Sequence, residues 1–499
     1  MKFILHHSDG RPFLIPESFS TIGSADPSGE FHEPLPPTLD STYSFSESLQ
    51  HFLQGKQLLP DELPYSLESI HEHYLKGYVA YSAGLIRENG QYVCCRCGND
   101  VQRRFATFPC SRCGKACPYC RECIMMGRVS MCTPLVRWCG PEVPYSGHAR
   151  PLAWDGKLSD PQSIASDKVA SAVGQSEELL VWAVCGAGKT EVLFQAIEEA
   201  LRQGQRVCLA SPRTDVILEL APRFRDAFPK TEMIVLYGGS EDRGKQGQLV
   251  LSTTHQLLRY KEAFDFIIID EVDAFPFSTD RVLIYAVDQA KKSDATMVYL
   301  TATPDRPLKK RYEKEELAGV RISRRYHGHP LPIPTFRWCG NWRKSLKKGK
   351  LPEAAYEWAV RQLHNERQAF LFVPSVEVLE KVTGILQAVD ERVIGVHAED
   401  GERREKVQQF RSREAPIIVT TTILERGVTV ANVDVVVLGA DDKVFTEQAL
   451  VQVSGRVGRS SSAPGGEILY FHYGRTKAML DARRHIKAMN REAFPRERG

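Results

Sequence analysis

The stretch Ala183-Val-Cys-Gly-Ala-Gly-Lys-Thr190 places two glycines, a lysine and a hydroxyl residue in an arrangement that suits phosphate. Gly186 and Gly188 let backbone amides turn toward an anion without a Cβ in the way. Lys189 would reach the outer phosphates, and Thr190 would hold Mg²⁺. Ala183, Val184, Cys185 and Ala187 complete the expected nucleotide cradle. Ala183 stands where the usual pattern has its first glycine, but the shorter Gly-x-Gly-Lys-Thr core is intact. A second constellation, Phe266-Ile-Ile-Ile-Asp270-Glu271-Val272-Asp273, delivers carboxylates from the end of an apolar run. Asp270 would support the Mg²⁺ shell, and Glu271 would orient and deprotonate an attacking water. A third, Gln452-Val-Ser-Gly455-Arg456-Val-Gly458-Arg459, offers two arginines three apart, expected on one side of a helical turn. Such arginines can stabilise charge on a transferring phosphoryl group.

Cysteine chemistry occupies a separate block. The chain has 13 cysteines, most of them between Cys94 and Cys139. Cys94-x-x-Cys97-Gly98 and Cys110-x-x-Cys113-Gly114 each have the form of a zinc knuckle. The expected site is Cys94, Cys97, Cys110 and Cys113 around one structural zinc. Cys117, Cys120, Cys123 and Cys132 could complete a second site, the pairs could interleave, or the later cysteines could be small buried hydrophobes. Cys95 rivals Cys94. The block also carries Arg96, Arg103, Arg104, Arg112, Lys115, Arg121 and Arg128, with Tyr92, Phe105, Phe108 and Tyr119 interleaved. That mixture suits single-strand phosphates and stacked bases, or a docking surface, or a solvated shell.

Positioning elements can be read around these groups. Leu179–Trp182 reads as a buried strand before the phosphate loop, and 191–201 has helical periodicity after it. Strands are expected at 206–211, 233–237, 248–252, 266–270 and 297–301, with a helix opening at Asp215. After a basic connector, 304–350, kept partly extended by Pro330, Pro332 and Pro334 and read either as a flexible linker able to follow a phosphate backbone or as solvated charge, strands recur at 368–373, 392–396, 415–420 and 433–438, with a helix from Glu402 to Phe410. This alternation predicts an α/β fold of parallel sheets covered by helices. The second half has no second Gly-Lys-Thr, so it would face a nucleotide rather than cradle it. Residues 1 to about 60 read as an irregular lead-in, and Leu67–Leu75 as a helical patch. Gln162, ahead of the phosphate loop, could read an adenine edge with its amide. Thr301 and Thr303 could sense the γ-phosphate.

Composition limits the class. With 499 residues, two or three domains are expected. The net charge of +3 argues for no partner by itself. No apolar run approaches the ~20 residues of a membrane span. The start, Met1-Lys-Phe-Ile-Leu-His-His, is too soon polar for a signal peptide. A cytosolic protein is expected, able to dock peripherally at the inner membrane face, and clustered Cys-x-x-Cys pairs there favour metal over disulfides.

In order, Gln162, Gly186–Thr190, Asp270–Asp273, Thr301–Thr303, Thr420–Gly427 and Gln452–Arg459 resemble the motifs of superfamily two helicases. The resemblance covers roughly 154–475. It implies two RecA-like parallel-sheet domains in tandem, ATP hydrolysis, and nucleic acid bound across both. It implies catalytic roles for Lys189, Asp270, Glu271, Gln452, Arg456 and Arg459, and nucleotide contacts at Gln162 and Gly427. It places Gly239, Thr254 and Thr422 along the strand path. The upstream cysteine module, with Met125-Met-Gly-Arg128, resembles the ComFA family of late competence proteins. It is also similar to the restart helicase PriA in joining zinc to such a motor, but lacks that protein's second-domain zinc insertion. The ComFA resemblance implies a cytosolic ATPase acting on single-stranded DNA at the inner mouth of the uptake channel, with ComFC and DprA as partners. The expected layout is an irregular and helical region at 1–88, a zinc module at 89–145, and RecA-like domains at 146–335 and 336–499. The expected activity is an ATP-driven single-stranded DNA translocase using ATP, Mg²⁺ and Zn²⁺. A duplex-unwinding restart helicase and a zinc-dependent, ATP-switched scaffold are the rival readings.

Overall fold

The computed structural model describes residues 3–8, 11–16, 37–145, 147, 149–364, 367–426, 428 and 430–495. The chain divides into two compact units, residues 1–155, 170–178 and 195–299, and residues 156–169, 179–194 and 300–499. The expected boundary at 335/336 falls inside the second unit.

The Val-, Ile- and Leu-rich runs at Val207–Ser211, Leu249–Thr253 and Phe264–Asp270 form buried strands, as expected for parallel sheets covered on both faces. In the first unit five neighbouring strands of a seven-stranded sheet run in the order Met233–Leu236, Leu249–Thr253, Val207–Ser211, Phe264–Asp270 and Lys291–Thr301. Val207 lies opposite both Leu249 and Phe266 in parallel register. This register carries Asp270 to the strand's C-terminal end, the edge where open α/β sheets bind ligands.

Among its described residues, the N-terminal lead-in, read as irregular, forms regular elements. Phe3–Ser8 pairs antiparallel with Arg11–Pro16. Helix Glu47–Leu53 is capped by Ser46 and packs with Ile70, Tyr74, Tyr78 and Trp138 in a small core. Leu67–Leu75 is a helix, as expected. Strands Gln57–Leu58, Leu135–Trp138 and Val79–Ser82 form a three-stranded sheet under it.

In the second unit, strand Glu178–Ala183 pairs in parallel with Ala318–Ile322, Leu179 opposite Ala318. A six-stranded sheet runs Thr335–Trp338, Ile468–His472, Val433–Leu438, Gln368–Phe372, Ile417–Thr420 and Ile394–Val396. Its core includes Trp358, Leu371, Val419 and Val436. The basic connector contains regular structure, with its proline-bearing stretch at 329–334 outside helix and strand. Asp305 caps helix Arg306–Glu313, and Asn341 caps Trp342–Lys347, with strands between them. Buried Trp342 and Leu346 hold that second helix in place, which a count of lysines and arginines conceals.

Among the described residues no helix is long and apolar enough to cross a membrane.

Candidate nucleotide and metal sites

The phosphate loop begins where strand Glu178–Ala183 ends. Val184 donates its amide to the Ile322 carbonyl (3.0 Å), and Ala187 donates to Val184 (3.1 Å). Gly186 and Gly188 are left-handed, at φ 81° and 69°, so neither tolerates a side chain without strain. Helix Lys189–Val192 opens immediately after, and its first amides have no acceptors within the helix. Lys189 and Thr190 are both half-buried at that opening. The cradle fits a phosphate chain: its turns require glycine and its next amides start a helix.

Gln162 is used differently from the expectation. It sits on helix Asp160–Ala172 and is buried. Its Nε2 donates to the Ala187 and Gly188 carbonyls at 2.9 and 3.3 Å. Its Oε1 accepts from the Ser159 amide and hydroxyl at 2.9 and 2.8 Å. Both amide hydrogens and both lone pairs are engaged. In this structure Gln162 therefore braces the loop and does not present an edge to adenine.

One helix from the second half of the chain reaches the loop with a side chain. Thr446 caps Glu447–Ser454 by accepting from the Ala449 amide at 3.2 Å. Within this helix Gln452 is buried, and its Nε2 donates to Thr303 Oγ1 at 3.1 Å. Its Oε1 accepts from the Cys185 thiol at 3.2 Å. Thr303 in turn donates its amide to Thr301 Oγ1 at 2.9 Å. The loop, the Thr301–Thr303 strand end and Gln452 are thus one buried hydrogen-bonded chain.

The two arginines separate. The helix ends at Ser454, and Gly458 is left-handed at φ 69°. Arg456 and Arg459 therefore share no helical face, contrary to the spacing argument. Arg456 is 1% exposed and donates to the Val428 carbonyl. Arg459 is half-buried, with its Nε on the Gly455 carbonyl at 3.0 Å. Gly427 lies outside the described residues.

In the first unit, Asp270 ends its strand and accepts from the Glu271 amide at 2.8 Å. Glu271 is a non-glycine residue at φ 57°. A carboxylate residue held in the left-handed region costs of order 1–3 kcal/mol, a kind of strain that concentrates at functional sites. Of the three residues expected along a nucleic-acid path, Thr254 is fully buried, which encloses its hydroxyl. Gly239 (φ 89°) is exposed and Thr422 is half-exposed.

The cysteines sort into two sets, Cys94, Cys97, Cys120 and Cys123, and Cys110, Cys113, Cys117 and Cys132. Both knuckles form alike. The Gly98 amide donates to the Cys94 carbonyl and the Gly114 amide to the Cys110 carbonyl, with φ 67° and 68°. The two knuckles do not share a site as expected, and the pairs interleave. The reason is strand parity. Cys117 and Cys120 both lie on strand Ala116–Cys120, and residues three apart on a strand face opposite sides. One serves each set.

Sulfur separations are 3.9 Å for Cys94–Cys123, 3.7 Å for Cys97–Cys120, 3.7 Å for Cys110–Cys132 and 3.6 Å for Cys117–Cys132. Tetrahedral zinc with bonds of about 2.3 Å would hold its sulfurs roughly 3.8 Å apart. A disulfide would need about 2.05 Å. The donor sets therefore fit thiolate-bound zinc. Asn99 donates to Cys120 Sγ at 3.6 Å, a partner that would fix that ligand. Cys95 and Cys139 belong to neither set.

Within the first unit the module packs against Tyr285, whose ring a Cβ at Gly98 would strike at 2.6 Å. Arg96, expected at a basic surface, is buried, with its guanidinium on the Met126 carbonyl and 3.8 Å from Glu62. Glu62 also pairs with Arg259 at 2.8 Å, and Asp61 with Arg112 at 2.7 Å. These residues border a cleft of about 870 Å³ whose rim carries Phe108, Met125, Arg128 and Arg243. Arg128 lies over the Phe108 ring at 4.1 Å, and Met125 is 92% exposed.

The sequence argument missed Arg325, counted only as connector charge yet 2% exposed. Nothing distinguishes it from Arg324 beside it. Burial alone finds it.

Three family models match the chain. They are the competence protein ComFA N-terminal domain over residues 41–137, the type III restriction enzyme res subunit over 155–306, and the helicase conserved C-terminal domain over 351–461. The chain is 50% identical over 452 residues to competence protein ComFA of Bacillus subtilis, covering 91% of this chain and 97% of that one. It is 36% identical to competence protein ComFA of Streptococcus pneumoniae, covering 82% and 92%. Among solved structures it resembles S. cerevisiae Dbp5 bound to RNA and ADP BeF3, with TM-score 0.51 at 16% identity, over 68% of this chain and 88% of that one. It also resembles Mycobacterium smegmatis helicase Lhr bound to ssDNA and AMP-PNP, with TM-score 0.50 at 17% identity, over 68% and 50%. These two show the fold: paired RecA-like parallel sheets.

Proposed function

The chain belongs to the ComFA family of competence proteins, and from that premise we propose that it is an ATP-driven translocase of single-stranded DNA, serving the entry of transforming DNA. Its helicase domains make it a helicase-class ATPase, so ATP and Mg²⁺ are implied. The observation that carries the finer reading is the Cys185–Gln452–Thr303 chain of hydrogen bonds. It supports a motor in which a change at the phosphate loop is felt at once by the helix leading to Arg459.

On this reading Lys189 holds the outer phosphates and Glu271 takes the proton of the attacking water. Thr190 and Asp270 would hold Mg²⁺, which when bound neutralises charge on the phosphate oxygens. Arg459, half-buried at the turn after the Gln452 helix, stabilises the charge that develops on the transferring group. Arg456, already committed to the Val428 carbonyl, acts as a brace. Each cysteine set holds one structural zinc. The cleft beside them suits a single strand. Its acids are already paired with Arg112 and Arg259. Arg128 and Arg243 at the rim can meet phosphates, and Phe108 can stack a base.

Family membership also supports ComFC and DprA as partners and docking at the inner mouth of the uptake channel. Co-purification with each partner tests this. The central experiment is ATP hydrolysis with single-stranded DNA, duplex DNA and RNA, in the wild type and Glu271→Gln. The proposal expects strongest stimulation by single-stranded DNA and a Glu271→Gln variant that binds ATP without turnover. Equal stimulation by blunt duplex, with strand separation, would favour a restart helicase. No stimulation by any nucleic acid would favour an ATP-switched scaffold.

A further inference from the structure

Arg325 lies just past strand Ala318–Ile322, in a segment with no catalytic assignment. Its guanidinium is buried, yet no carboxylate is paired with it among the described residues. Instead Nη1 donates to the Gly458 carbonyl at 2.5 Å and Nη2 to the Val457 carbonyl at 2.7 Å. His327 Nε2 lies 3.1 Å from the same Gly458 oxygen. Between them, the Tyr326 amide donates to the Gly186 carbonyl at 3.1 Å. Three consecutive residues therefore grip two places at once: a glycine of the phosphate loop and the turn immediately before Arg459.

The side chain itself faces both ways. A Cβ built at Gly186 would lie 3.7 Å from Arg325 Nε, and that Nε has no acceptor among the described residues. Burying a cation without a counter-charge is costly. Burial lowers the Arg325 pKa to about 10, and the neighbouring Arg459 charge pushes the same way. The group still carries its charge at neutral pH. A lysine ammonium could satisfy one of the two carbonyls as a point donor. The planar fork of arginine is what spans two consecutive ones. Gly458 must also stay glycine, because it is left-handed and a Cβ there would run into the Pro464 carbonyl. Its amide plane is thus fixed from both sides.

We propose that Arg325 is a positioning residue for ATP hydrolysis, a tie that holds the Val457–Gly458 turn, and with it Arg459, in register with the phosphate loop. Its guanidinium holds the Val457 and Gly458 carbonyls while the adjacent Tyr326 amide holds the Gly186 carbonyl, and it need not touch the phosphates. The inference rests on the assignment of Arg459 to the transferring group. Loss of the tie leaves the nucleotide cradle able to bind. It lets Arg459 drift, and misplacement of about 1 Å can cost about 100-fold in rate.

The test compares wild type, Arg325→Met, Arg325→Lys, His327→Ala and Glu271→Gln. The readouts are binding of a fluorescent ATP analogue, steady-state ATPase and thermal midpoint. The expected result is a kcat at least tenfold lower in Arg325→Met, with nucleotide affinity within about twofold of wild type, partial recovery in Arg325→Lys, and a smaller kcat loss in His327→Ala. Unchanged kcat in Arg325→Met overturns the proposal. So does a parallel loss of nucleotide affinity and thermal midpoint, which marks a merely structural arginine. If Arg325→Met does not fold, Arg325→Lys and His327→Ala decide by the same split between kcat and affinity. Turnover by Glu271→Gln at the wild-type rate would instead overturn the underlying hydrolysis reading, whatever the Arg325 variants do.

Discussion

Cys185 and Gly455 are in contact: a Cβ built on the glycine would fall 2.5 Å from the cysteine Cβ and 2.6 Å from its sulfur. The phosphate loop and the end of the Gln452 helix are thus packed without space for one methyl group. Gly455→Ala should push them apart. Overpacking of this kind costs about 1–3 kcal/mol, and turnover is expected to fall at least tenfold. Cys185→Gly removes the atoms that would collide. The double variant should recover much of the loss, a coupling that a double-mutant cycle of ATPase rates measures directly.

Arg456 and Arg459 should fail in different ways. Arg456 is enclosed and holds the Val428 carbonyl, so Arg456→Ala is expected to lower the thermal midpoint, at a cost of about 1–3 kcal/mol for the abandoned carbonyl. Arg459 is half-buried, and its Nε donates to the Gly455 carbonyl at 3.0 Å. Arg459→Ala should leave the midpoint nearly unchanged and cut turnover about 100-fold or more. Paired melting and ATPase measurements separate the two.

Metal content distinguishes the two ways of grouping the cysteines. If the interleaved sets each hold zinc, the wild type should yield two ions per chain. Cys97→Ser with Cys120→Ser damages one set and should leave one ion. Cys97→Ser with Cys113→Ser damages both and should leave none. A site built from both knuckles would give the reverse pattern, so elemental analysis of purified variants is decisive.

That pairing marks where linear reasoning stops. The phosphate loop was legible because its strand, turn and helix are contiguous, and glycine at positive φ leaves a mark in the chain. The Asp270 strand end was legible for the same reason. Ligand pairing depends on which face of a strand Cys117 and Cys120 occupy, and five residues of mixed character do not announce a strand. Gln162, Arg96 and Arg325 carry polar groups that suggest a surface or a ligand, yet all three are buried against backbone carbonyls. Tertiary neighbours decide such cases, and spacing holds no record of them. The helix ending at Ser454 likewise separated two arginines that spacing had put together.

Lys56 gives a pH signature. It is buried, over the Phe52 ring and 3.4 Å from the Lys245 carbonyl. Burial, with Arg206 and Arg259 adding repulsion, lowers its pKa from 10.5 to about 7. The unfolded chain keeps this proton up to about 10.5, whereas the folded chain releases it above about 7. Between those values unfolding takes up a proton, so stability rises with pH. Lys56→Met should flatten that rise by about one proton, read from denaturation midpoints at pH 7 and pH 9.

The cleft beside the cysteine sets gives the last prediction. Arg128→Glu should weaken binding of a fluorescent oligothymidylate and lower its salt slope by roughly one. Phe108→Ala should weaken binding with little change in slope, since stacking releases no counterions. Affinity titrated at several salt concentrations checks both.

The alternation of the two sulfur sets along the chain has a consequence for biosynthesis. As the polypeptide leaves the ribosome, both knuckles emerge early, but neither can close a full coordination shell. The first set waits for Cys123 and the second for Cys132. Both donor sets are thus completed late and close together, and a nascent chain stalled before that point has two incomplete sets of thiols.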